Sequence, residues 1–159
     1  MPVPPFLADL RAHVGTQLLW LSGVSAVVVD DDERILLVRR ADNGLWAIVG
    51  GVLEPGEQPA PAIVREVHEE TGVHVVPERI CTVYTEPSMT YPNGDRAQYL
   101  DIAFRCRPVG GRARVNDDES LEVAWFPADA LPDMEEKNRL KIERALKGGT
   151  EAWFVEPSS

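Results

Sequence analysis

Two cysteines and three histidines are all that this chain of 159 residues offers for thiolate or imidazole chemistry. Cys81 and Cys106 form no C-x-x-C pair and have no histidine pair nearby, so the sequence encodes no zinc site, and free thiols are expected. Long apolar runs are also missing. None approaches the roughly 20 residues that a membrane-spanning helix needs, and the N-terminus has no basic stretch followed by an apolar one. Membrane insertion is therefore not expected, and a cytoplasmic location is. Positive charge is scarce: 16 basic side chains against 26 acidic ones give a net charge of -10. That balance argues against broad electrostatic attachment to nucleic acid or to an anionic membrane. A phosphate-bearing ligand would need a cation to mediate its approach. What is present is 44% hydrophobic residues, in a length that suits one domain with its own core.

The proline-rich start "MPVPP" blocks an earlier helix, after which Phe6, Leu7, Leu10, Val14 and Leu18 recur at helical spacing. This predicts a helix over 5–19 that packs on the domain or contacts a second copy. "SAVVVD" (25–30) and "ILLVRR" (35–40) predict two strands joined by "DDDER" as a hairpin. "LWAIVGG" (45–51) predicts a short strand ending in two glycines, with Pro55 and Gly56 breaking the chain beyond it. Trp46 within it is expected in the core. Further strands are predicted over 73–76, 79–86, 97–107 and 120–126, and a polar amphipathic helix over 135–146. With no repeat and no low-complexity segment, this order predicts a mixed sheet sandwiched by helices.

The segment between the Gly50–Gly51 pair and residue 73 holds the informative geometry. Pro59 and Pro61 suit the first turn of a helix and Gly72 suits its C-cap, which predicts a helix from about 59 to about 71. At about 100° per residue, Ala60, Ile63, Val64, Val67 and Thr71 share one arc and form the face to be buried. Glu66, Glu69 and Glu70 fill the adjoining arc, Arg65 lies just beyond Glu69, and His68 points to the surface. Like charges at this spacing repel by a few tenths of a kcal/mol per pair. The arrangement becomes favourable if a hard divalent cation, Mg²⁺ or Mn²⁺, sits among the carboxylates, because such ions take oxygen ligands. Gly51 lets the backbone approach a ligand and offers its carbonyl oxygen as a further donor. Arg65, always protonated, is suited to tie a carboxylate in place and hold the loop against the helix.

Gly51, five residues, Glu57, seven residues, Arg65-Glu66-Val67, one residue, Glu69-Glu70, one residue, Gly72-Val73 resembles the signature box of the Nudix family at every fixed and aliphatic position. The resemblance extends from about residue 20 to about residue 146 and takes in "WFPADALP" near the end. One departure is Val49, where many members have proline before the double glycine. The resemblance implies an α/β fold, the Nudix α/β/α sandwich around a mixed β-sheet. It divides the chain into an N-terminal helical segment (1–19), a Nudix domain (20–147) and a tail (148–159). It also implies hydrolysis of a nucleoside diphosphate linked to another moiety, with Mg²⁺ or Mn²⁺. Glu66, Glu69 and Glu70 become metal ligands with the Gly51 carbonyl, Glu57 and Arg65 a salt bridge bracing the loop, and Glu69 or Glu70 a base. In "NDDES" (116–120) Glu119 is either an extra ligand or base, as in members that recruit a later carboxylate, or part of an acidic surface loop. Members often dimerise, so a homodimer through the N-terminal helix fits the pattern.

Substrate choice is less legible. "YPNGD" within 88–99 is a turn signature. It reads either as a plain hairpin loop or as a lid in which Tyr91 stacks on a base and Asp95 or Arg96 touches ribose or phosphate. Arg39 and Arg40 end a strand, where they either contact phosphates or stay solvated. The partner expected is a small-molecule nucleotide: ADP-ribose or a nucleotide sugar, or alternatively a (d)NTP, oxidised ones included. A non-catalytic nucleotide sensor is the remaining alternative, against which the full set of glutamates speaks.

Overall fold

The computed structural model describes residues 3–158. Chain order is α1 (Pro5–Val14), β1 (Leu19–Val28), β2 (Arg34–Arg40), β3 (Trp46–Ala47), β4 (Val49–Val52), α2 (Pro59–Thr71), β5 (Val73–Thr85), β6 (Met89–Thr90), β7 (Arg96–Gly111), β8 (Ser120–Pro127) and α3 (Glu136–Leu146). The strands form a five-stranded sheet ordered β4-β1-β7-β5, with β6 also on β7, and a three-stranded sheet ordered β3-β2-β8. The larger sheet is mixed, because β1 and β7 run parallel while β1–β4, β5–β7 and β6–β7 are antiparallel.

Strand β1 is apolar on both faces, as a central strand covered by two layers must be. Val24, Ala26 and Val28 face one core, shared with Leu36 and Val38 of β2 and with Ala62, Ile63 and Val67 of α2. Val27 and Val29 face a second core with Ile35, Leu37, Ile142 and Ala145. The two helices thus cover opposite faces, giving an α/β/α sandwich. A third, smaller cluster of Leu21, Val52 and Ala97 is covered by Phe6 and Leu7 of α1 and by Tyr91 and Tyr99. Cys81 and Cys106 are buried free thiols, and burial pushes them up to about 11 and about 12. Trp46 packs edge-on against Phe126, ring centres 4.8 Å apart, beside the second core. Among the described residues no helix is long and apolar enough to cross a membrane.

Several sequence expectations are revised. The strands 25–30 and 35–40 do not form a hairpin: apart from one bridge between Val29 and Ile35, β2 leaves to pair with β3 and β8. The reason is that both edges of β1 are already occupied, by β4 and β7. The turn itself is fixed by the Asp30 carboxylate, which accepts from the backbone N–H groups of Asp32 (3.0 Å) and Arg34 (2.8 Å). The first helix stops at Val14, where Gly15 takes φ 62, and the chain enters β1 six residues before the expected strand start. The strand expected over 45–51 is split at Ile48 between the two sheets. Segments 73–76 and 79–86 merge into β5, whose ladder shifts register beside Pro77 because proline cannot donate. Helix α2 has the expected bounds, with two prolines in its first turn and Gly72 at φ 76 donating to the His68 carbonyl at 2.9 Å.

Ile63 is fully buried where α2 meets the sheet. Ile63→Ala is expected to destabilise the fold by about 3 kcal/mol, read as a lowered urea midpoint with an unchanged slope.

Candidate active site

Helix α2 presents its carboxylates in three different environments. Glu66 is fully buried (0% exposed) and faces Gly51 on β4 so closely that a Cβ at Gly51 would lie 2.6 Å from the Glu66 carboxyl carbon. Only glycine fits there. One oxygen of Glu66 accepts from Arg65 Nη1 at 3.2 Å, and the other, Oε2, is buried with no hydrogen-bond partner. Glu70 is also buried, at 6% exposure, whereas Glu69 has 49% of its side chain exposed and accepts from Arg65 Nη1 at 3.1 Å. The buried face of α2 is therefore wider than the aliphatic arc and includes Glu66 and Glu70.

Arg65 organises the loop before the helix. Its Nη2 donates to both oxygens of Glu57, at 3.0 and 2.8 Å, and its Nε to Oε2 at 3.2 Å. Glu57 Oε1 also accepts from the Glu54 N–H at 3.1 Å. The forked geometry fixes the loop more firmly than a point charge would.

A second loop completes the acidic group. The N–H groups of Arg114 and Asn116 donate to the carbonyls of Thr71 (2.9 Å) and Glu70 (3.3 Å), and the Asn116 side chain donates to the His68 carbonyl at 3.1 Å. These bonds stitch the loop to the C-terminal end of α2. They set Asp117 and Glu119 beside Glu70, with one carboxylate oxygen from each within 4.8 Å of the others. Glu119 is thus brought to the helix. Asp117 is a residue the sequence reading missed: "NDDES" shows three acids in a row of five, and nothing local tells which of them turn inward. An all-oxygen donor set of this kind suits a hard divalent cation, and the orphaned Glu66 Oε2 is an acceptor such an ion would satisfy.

Burial raises Glu66 to about 7, opposed by Arg65 and reinforced by Glu69. Burial, with the charges of Glu66 and Asp117, raises Glu70 to about 8.

The acidic group opens into a cleft of about 830 Å³ lined by Gly51, Glu70 and Glu119 at one part of its wall and by Arg40, Tyr91 and Asp95 at others. Arg40 is ion-paired to Asp42. Tyr91 shares a 2.8 Å hydrogen bond with the Tyr99 hydroxyl, and Asp95 faces Arg11 of α1 at 3.6 Å. The "YPNGD" segment is a hairpin turn, closed by Tyr91 N–H to the Asp95 carbonyl at 2.8 Å, and it also forms cleft wall. Arg96 does not line the cleft; it is exposed and donates to the Thr16 carbonyl at 3.3 Å. Arg39 is likewise outside, paired with Glu122 at 3.3 Å.

A charged group unforeseen from sequence also lines the cleft. Lys141 of α3, 2% exposed, reaches Glu86 Oε1 at 2.8 Å and Asp101 Oδ2 at 3.0 Å, and Lys137 reaches Glu86 Oε2 at 2.9 Å. The Ser25 hydroxyl donates to Asp101 at 2.8 Å. Burial alone would lower Lys141, but Asp101 and Glu86 outweigh it and the ammonium stays charged.

The profile of the NUDIX domain matches residues 20–146. The chain is a Nudix hydrolase. It is 38% identical over 126 residues to a MutT-like protein of Streptomyces ambofaciens, covering 79% of this chain and 76% of that one. It is 34% identical over 136 residues to an 8-oxo-dGDP phosphatase of Homo sapiens, covering 81% of this chain but 37% of that longer protein. Among solved structures, a UDP-X diphosphatase superposes with a TM-score of 0.65 at 28% identity, covering 88% of this chain and 68% of that one. The Nudix box thus lies on the strand, loop and helix described above, and the acidic group stands on that scaffold.

A carboxyl whose folded value is raised contributes stability that is present below its unfolded value and lost as pH rises through the folded one. For Glu66 and Glu70 that window runs from the ordinary 4.5 up to about 7 and about 8. The metal-free Nudix hydrolase is therefore expected to melt at a lower temperature at pH 8.5 than at pH 6. Added Mg²⁺ should remove most of the difference, which calorimetry in chelator and in excess Mg²⁺ would measure.

Proposed function

We propose that this Nudix hydrolase cleaves the pyrophosphate of a nucleoside diphosphate linked to another moiety, such as ADP-ribose or a nucleotide sugar, with Mg²⁺ or Mn²⁺. The observation that carries the proposal is the buried, partnerless Glu66 Oε2 against the bare Gly51 backbone, next to the convergence of Glu70 with Asp117 and Glu119. Carboxylates buried and crowded in this way are costly unless a cation joins them. Glu66, Glu70 and the Gly51 carbonyl are the groups that would hold it, joined by Glu119, while Glu69 is tied to Arg65. The bound ion would neutralise pyrophosphate charge and lower the pKa of water.

The protein's own groups then have distinct tasks. Glu57 and Arg65 keep the loop after β4 rigid, so that Gly51 and Glu66 hold their spacing. Glu119 or Glu70 accepts a proton from the attacking water, each lying in the cleft. Glu69, outside it, supports through Arg65. Arg40 meets phosphate oxygens, Tyr91 stacks on a base, and Asp95 faces the ribose. Arg96 is not retained as a substrate contact. The similarity to a UDP-X diphosphatase structure supports a diphosphate joined to a further group.

A second reading keeps the chemistry and changes the substrate to a free nucleotide, including oxidised (d)NTPs. It is favoured by the similarity to a protein named 8-oxo-dGDP phosphatase. Products separate the two: a nucleoside monophosphate with a phosphorylated organic moiety in the first, or with inorganic phosphate or pyrophosphate in the second.

Glu70→Gln is expected to reduce kcat by about 10²-fold or more while the melting temperature is retained, and excess chelator should abolish turnover of the parent enzyme. The assay is a panel of ADP-ribose, NDP-sugars, dinucleoside polyphosphates, NTPs and 8-oxo-dGTP with products resolved by chromatography. Undiminished turnover by a Glu70→Gln/Glu119→Gln double variant, or in chelator, would overturn the mechanism.

A further inference from the structure

The group of Lys137, Lys141, Glu86, Asp101 and Ser25 lines the same cleft as the acidic cluster and is used by no step above. Its members come from β1, β7, α3 and the residue that follows β5, so four parts of the chain converge on it. Two ammonium groups face two carboxylates at 2.8–3.0 Å, and the formal charges cancel. That balance decides what it binds. A phosphate approaching it would gain little from lysines already neutralised and would meet Glu86 and Asp101 as like charges. A neutral edge carrying both an acceptor and a donor avoids that repulsion and exchanges its bonds to water for bonds to the pair.

The two ends of the group differ in access. Lys141 and Asp101 are sealed, with side chains 2% and 3% exposed, whereas Lys137 keeps 15% of its side chain open. The Lys137 ammonium has three N–H donors, of which Glu86 takes one, and each Glu86 oxygen has a further lone-pair direction. Lys137 and Glu86 therefore present a donor beside an acceptor toward the cleft, held by the buried Lys141 and Asp101. Tyr91 and Tyr99 line the cleft too and offer aromatic surface on which a flat base can stack.

We propose that Lys137 and Glu86 read the lactam edge of a nucleobase, the C=O beside N–H found in guanine, hypoxanthine and uracil. Lys137 donates to the carbonyl oxygen and Glu86 accepts from the ring N–H. Lys141, Asp101 and Ser25 are positioning residues. Adenine and cytosine place an amino donor where the lactam has its carbonyl, and so meet the ammonium with the wrong group. The inference rests on the nucleotide-hydrolase reading, and naming the base class deepens it.

The test is calorimetric titration of nucleoside monophosphates, the product class common to both readings. Wild-type protein is expected to bind GMP, IMP and UMP more tightly than AMP and CMP. Lys137→Met should weaken the first three by about tenfold, the size of one charge-assisted hydrogen bond, and leave AMP, CMP and ribose 5-phosphate nearly unchanged. Lys137→Arg should restore part of the preference. Equal binding of all five monophosphates by the wild type would overturn the proposal even if the variants failed to fold. A uniform loss that included ribose 5-phosphate, or preference set by the sugar alone, would overturn it as well. Metal-dependent turnover with base-indifferent binding would sink only this inference, whereas base-selective binding without turnover would sink only the hydrolytic reading.

Discussion

The contact between Gly51 and Glu66 is the constraint on which the rest of the site depends. A carboxylate with no exposed surface lies against backbone that has no side chain, so helix α2 approaches β4 more closely than any pair of ordinary residues would permit. That closeness fixes the direction of the helix, and with it the placement of Glu70 one turn further on. It also leaves the buried Glu66 Oε2 as an acceptor that no side chain or backbone N–H among the described residues satisfies. Arg65 and Glu57 are arranged to preserve this spacing, one end of the guanidinium on the loop and the other on the helix. The loop bearing Asp117 and Glu119 relies on it as well, because its bonds run to carbonyls at the end of the same helix.

How much of this the sequence displays depends on how far apart the cooperating residues lie. Helix α2 was legible to the residue, since Pro59, Pro61 and Gly72 are local signals with local causes, and the pairing of Glu57 with Arg65 spans eight positions inside one pattern. The layered fold followed from the order of strands and helices along the chain. Other features have no local cause. Whether β2 pairs with β1 depends on β7, which arrives some sixty residues later. Whether Glu66 and Glu70 are buried while Glu69 is not depends on the tilt of a helix against a sheet, which the arc of aliphatic residues alone underdetermines. Asp117 looks like its neighbour Asp118 until the Asn116 bonds to α2 set the register of the loop.

The Lys141 group is the extreme case. Ser25 and Lys141 meet across 116 positions, and neither residue carries a pattern that points to the other. A lysine in an amphipathic helix reads as solvated, and an aspartate in a strand reads as facing water. Only the packing of α3 across β1 and β7 makes them partners. Charges buried this way add little to stability, since desolvation offsets much of the attraction, and their retention is more readily explained by specificity than by strength.

Ile48 gives the architecture a mechanical character. The extended segment through Trp46 and Val52 leaves one sheet and joins the other within a single residue, and both sheets contribute walls to the cleft. Ile48 alone separates β3 from β4, so at this point the two sheets lie one residue of backbone apart. A ligand in the cleft therefore touches both sheets, and near Ile48 the spacing between its two walls is set by backbone rather than by any one side chain.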